Sequence, residues 1–79
     1  MSFIQVIASN ASNTINEWGT AAIFGIGKVT KMSGSANFFV GTTASPNGVG
    51  ILYDSTGFSI SNSTGQNITV LFYEDYALI

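Results

Sequence analysis

The segment Gly25-Ile26-Gly27-Lys28 comes nearest to a known chemistry, the cradling of a phosphate by a glycine-rich loop and its lysine. That loop also requires Gly at position 22 and Ser or Thr at position 29, where this chain carries Ala22 and Val29. The pattern fails, and the two glycines read instead as a close strand approach or a bulge. Serine nucleophiles need an adjacent base. With no His and no Cys in the chain, Lys28 and Lys31 are the only conventional candidates for that base. Glu74 and Asp75 form an adjacent carboxylate pair, but neighbours on a strand point to opposite faces, which separates an acid from its base. Together with Glu17 and Asp54 they are too scattered along the chain to supply the roughly six to eight oxygens of a calcium site. No catalytic residue, cofactor site or metal site is therefore assigned, and the chain reads as a non-enzyme.

Charge is scarce throughout. Glu17, Lys28, Lys31, Asp54, Glu74 and Asp75 are the six formal charges among 79 residues, or 8 %, against about 25 % in a typical soluble domain. Such a surface predicts that much of it faces protein. A chain of this length buries only about 60 % of the surface it exposes when unfolded, so its stability is marginal. Without Cys or His, disulfides and the commonest metal ligands are excluded, which leaves oligomerisation as the expected reinforcement. Two lysines make no footprint for a phosphate backbone, so no direct nucleic-acid partner is expected. Gln5 interrupts an already short apolar run in Met1 to Asn10, so no standard secretion signal is expected. No run of about 18 apolar residues predicts integral membrane insertion.

The elements follow from turn chemistry and alternation. Asp54-Ser55-Thr56-Gly57 is echoed eight residues later by Asn62-Ser63-Thr64-Gly65, each an Asx-type turn signal ahead of a strand. Strands are predicted over 3–8, 23–30, 35–40, 49–53, 58–61 and 67–73, the last three as a meander. Ser33-Gly34-Ser35 and Ser45-Pro46-Asn47-Gly48 punctuate the rest. Residues 9–16 read as a polar loop whose return is anchored by Trp18. A short helical turn within 14–22 is the alternative, on the capping-box pattern Thr14-Ile15-Asn16-Glu17. The expected fold is one all-β domain over residues 1–79, a small antiparallel β-sandwich or barrel of about six short strands.

Most of the ten aromatics are expected in the core, but Trp18 lies beside a polar loop, and Tyr73 and Tyr76 flank the carboxylate pair. Both ends of the chain are apolar, with Phe3, Ile4, Val6 and Ile7 at one and Tyr76-Ala77-Leu78-Ile79 at the other. Ends of that kind read as assembly elements. The candidate interface is therefore Phe3, Ile4, Val6, Trp18, Tyr73, Tyr76, Leu78 and Ile79. In overall composition and in the Asp54-to-Thr69 turn-strand echo, the chain resembles small β-rich bacteriophage virion proteins, the head decoration or cement proteins and tail-fibre domains. That resemblance implies a non-enzymatic subunit of a particle made in the host cytoplasm, with other copies or other virion proteins as partners. A carbohydrate-binding module, using the turns at Asn47, Asp54 and Asn62 with Trp18 or Tyr53, and a self-polymerising filament subunit are the alternatives.

Overall fold

The computed structural model describes residues 2–76. Seven strands form, and no helix occurs among the described residues: β1 (Ser2–Ser9), β2 (Asn16–Gly25), β3 (Lys28–Gly34), β4 (Phe38–Gly41), β5 (Val49–Asp54), β6 (Gly57–Asn62) and β7 (Thr69–Tyr76). A four-stranded sheet, β3-β2-β1-β7, packs on a three-stranded sheet, β4-β5-β6. The expected small all-β fold is present, with one strand more than the sequence suggested. Alternation places each strand: in β1, Ser2, Ile4, Val6 and Ala8 are buried while Gln5 and Ile7 are exposed. Ile4, Val6, Ala8, Ala21, Val29, Phe38, Val49 and Ile51 make one core between the sheets.

The extra strand lies where a loop or a helical turn was expected. Asn10 organises the connection after β1: its Oδ1 accepts from the amides of Thr14 and Ile15 at 2.9 Å each, and its Nδ2 donates to Ser12 and Thr14 hydroxyls. That closes a short loop and sets β1 against β2 from Ser9↔Asn16 onward. The Thr14 amide is already engaged, and Gly19, Ala21 and Ile23 alternate toward the core, so the ladder prevails over the capping-box pattern. The strand expected over 23–30 divides at a hairpin turn, where Gly27 takes a positive φ of 74°.

Two further corrections concern pairing. The expected meander stops after the β5–β6 hairpin, because β7 crosses to the other sheet and pairs antiparallel with β1. The reason lies in the second turn: the Asn62 amide donates to the Gln66 carbonyl at 2.7 Å, and Asn10 donates to the Gln66 side chain at 2.8 Å. Those bonds draw the chain toward the β1–β2 loop. The sandwich is not wholly antiparallel either, since β4 pairs parallel with β5. Parallel neighbours ordinarily need a crossover of about a dozen residues. Here the four-residue β4 is short enough, at roughly 10 Å, for residues 42–48 to return along its length.

Phe38 is the largest fully buried side chain and sits where the sheets meet. A Cβ on Gly19 would lie 2.0 Å from its ring, and one on Gly34 would lie 2.7 Å away, so two glycines paired across β2 and β3 form its seat. Lys31 completes the site: its Nζ donates to the Phe38 carbonyl at 2.8 Å and lies 5.6 Å from the ring centroid. Gly50 serves β4 from the other side, since a Cβ there would meet the Phe39 carbonyl oxygen at 2.0 Å.

Replacing Gly19 with Ala gains about 0.5–1 kcal/mol of strand preference but overpacks a ring that cannot leave the core, at roughly 1–3 kcal/mol or more. Overpacking prevails. The urea midpoint of Gly19→Ala is expected to fall, and Phe38→Leu in the same chain to recover part of the loss, a coupling that a double-mutant cycle reads directly.

Candidate functional site

The outward side of the four-stranded sheet can be assembled row by row from its register. Trp18, Ile7 and Leu71 lie side by side on β2, β1 and β7; Thr20, Gln5 and Tyr73 form the next row, and Ala22, Phe3 and Asp75 the one after. Trp18 is 51 % exposed, Ile7 56 %, Tyr73 61 % and Leu71 68 %, and Met32 on β3 is exposed beside them. Three shallow depressions meet at Gln5, one toward Trp18 and Ile7, one toward Phe3, Met32 and Tyr73, and one toward Leu71. None of the five exposed side chains is charged, and the one charged position in these rows is Asp75, at the far end of the third. Covering those five, each about half exposed, contributes roughly 1 kcal/mol apiece. The face is a flat apolar surface with an amide, Gln5, at its centre and Asn16, Ser9 and Thr69 as a polar border at one end.

The residues expected at an interface fall in different places. Trp18 and Tyr73 are on this face, and Phe3 is half-buried within it. Ile4 and Val6 are corrected to core: alternation turns them inward, where both are fully buried. Tyr76 ends β7 opposite Ser2; Leu78 and Ile79 lie outside the described residues. Gln5, Met32 and Leu71 were missed, and Ile7, noted as part of an apolar end, was left out of the expected interface. The signal for two of them was available, because a strand over 3–8 with Ile4 and Val6 inside must present Gln5 and Ile7 outside.

Three of the six charges are occupied by local structure. Lys31 holds β4. Glu17 accepts from the Ser35 hydroxyl at 2.7 Å. Asp54 accepts from the Thr56 amide at 2.7 Å, the Thr56 hydroxyl at 2.6 Å and the Gly57 amide at 3.2 Å. Asn62 repeats this geometry eight residues later, accepting from the Thr64 amide at 3.0 Å and its hydroxyl at 2.6 Å. The internal echo is thus one turn built twice, and both turns direct an acceptor oxygen to their own backbone. Tyr53 packs against the core, so it does not join Trp18 on the outer face. Among the described residues, no three carboxylates gather where they could hold a metal ion.

The Thr56 hydroxyl and then its amide hold the Asp54 carboxyl below its ordinary value of 3.8. A depressed carboxylate stabilises the fold above its unfolded value, and that contribution fades as pH falls from about 3.8 through the lower folded value. Carbon-detected NMR titration is expected to place Asp54 below 3.8, and Thr56→Val to return it upward. Asp54→Asn is expected to lose less stability than the parent chain when urea unfolding is moved from about pH 5 to pH 3. Compared with known proteins, the chain matches no family model, and no curated protein or solved structure is significantly similar to it.

Proposed function

We propose that this chain is a non-enzymatic structural subunit that docks on a larger protein assembly through the outward face of its four-stranded sheet. The observation that carries the reading is the uncharged apolar surface formed by Trp18, Ile7, Leu71, Tyr73 and Met32 around Gln5. Isolated apolar residues on a surface need no explanation, whereas a contiguous flat patch marks an interaction site. Tyr, Trp and Met are also the residue types enriched at such sites. A virion shell or tail, the setting that the composition resembles, is the assembly proposed, and a neighbouring protein is the partner.

Carbohydrate binding is the second reading, and one observation favours it: exposed Trp18 and Tyr73 flank Gln5 and Thr20, giving aromatic faces beside an amide and a hydroxyl. The protein reading accounts for the larger patch, since Ile7, Leu71 and Met32 offer nothing to a sugar's hydroxyls.

Trp18 is the only tryptophan of the chain and so reports on this face alone. On assembly its emission is expected to shift to shorter wavelength and to resist acrylamide quenching. Ile7→Lys, placed beside it, is expected to weaken that assembly by at least about tenfold, equivalent to 1.4 kcal/mol. Trp18 remaining equally quenchable in the assembled particle would sink the docking reading. A saturable, sugar-dependent change in its emission would establish the carbohydrate reading instead.

A further inference from the structure

The two edges of the four-stranded sheet differ. The β3 edge carries Lys28 and Lys31, ends at Gly34, and is broken by two register shifts against β2. Those are the devices by which proteins stop an edge strand from pairing with another chain. The β7 edge is less protected: eight residues without Lys, Pro or Gly run in unbroken register with β1, its two charges, Glu74 and Asp75, are confined to one end, and no strand covers the other side of β7 among the described residues. In the smaller sheet, β4 has only four residues and β6 presents Ser59 and Ser61 on its outer side.

Phe72 marks the same place from within. It lies opposite Val6, on the core side of β7, yet it is 44 % exposed. Its ring stands 6.3 Å from that of Phe58 on β6, which is also exposed. The sandwich is therefore open along its β6–β7 side, where two core-facing rings have no further cover among the described residues.

We infer that β7 pairs antiparallel with β7 of a second copy of this chain about a two-fold axis at Phe72, joining two sheets into one of eight strands. Charge selects this arrangement. Glu74 and Asp75 both lie toward one end of β7. Parallel in-register stacking would place each carboxylate about 5 Å from its copy, with like charges directly opposed. The antiparallel pairing sets Glu74 opposite Val70 and Asp75 opposite Thr69 of the second copy. It separates the two Glu74 positions by roughly 13 Å, beyond the screening length of about 8 Å at physiological salt. It also pairs Tyr73 with Leu71 on the outward side, so that the docking faces of both copies become continuous, and it brings Phe72 to Phe72 over the open side of the core. The inference extends the structural-subunit reading, but the two can fail separately.

The chain contains no Cys, so single cysteines report pairing without background. Val70→Cys, Leu71→Cys, Phe72→Cys and Tyr73→Cys are oxidised one at a time, with Ile7→Cys as a control on the outward face and circular dichroism confirming each fold. Phe72→Cys is expected to form a disulfide-linked dimer at least tenfold faster than Val70→Cys or Ile7→Cys. Light scattering on the unmodified chain is expected to give twice its 8.3 kDa mass. Equal cross-linking at all four β7 positions would mean parallel stacking in a filament and overturn the proposal. Preferential cross-linking of Ile7→Cys would mean face-to-face packing, and a mass of 8.3 kDa at every concentration would mean no pairing; either result overturns it as well. Should Trp18 still become protected on a host assembly in that last case, the docking reading survives without the dimer.

Discussion

The seating of one phenylalanine on two glycines sets the distance between the sheets. Phe38 enters from β4 and lies against Gly19 and Gly34, and any larger residue at either glycine would clash with its ring. With the ring seated, Lys31 reaches the Phe38 carbonyl and ties β3 to β4, and Ser35 bridges back to Trp18 and Glu17. Close approach of this kind suits a small protein that has few large residues to bury. The core is made of one large ring, a few branched aliphatic side chains and alanines, so its stability depends on fit as much as on buried area.

The same economy shapes the surface. Three charged groups out of six are committed to holding turns and strands, which leaves little charge for keeping the sheet's outward side in water. That side carries Trp18, Ile7, Leu71 and Tyr73 in adjoining rows, while the opposite sheet turns Ser59 and Ser61 outward on β6. The molecule is therefore two-sided. One sheet exposes large apolar side chains outward, and the other turns hydroxyls outward on β6. The β7 edge lies along the border of the four-stranded sheet.

Much of this was readable from residues alone. Asp54 and Asn62, followed each time by Ser-Thr-Gly, predicted two turns of one kind, and both formed with the same pair of bonds, from the threonine amide and hydroxyl, because these bonds are local to three residues. Strand propensity placed 3–8 and 49–53, and alternation 58–61, since neither needs knowledge of partners. The stretch from Asn16 to Ala22 was missed because its capping-box pattern and small residues suit a helical turn as well as a strand, and only the ladder with β1 decides between them.

The all-β class, the turn positions and the lack of charge were determined by the sequence itself, through the short-range chemistry of Asx turns, alternation and composition. Which strands pair was decided only in three dimensions: β7 joins β1, β4 runs parallel to β5, and Ile4 turns inward while Ile7 turns outward. Pairing depends on where a loop such as 63–68 delivers the chain, and that direction is the sum of long-range bonds from Asn10 and the packing of Ile68 and Val70 on a core that exists only once the sheets have met.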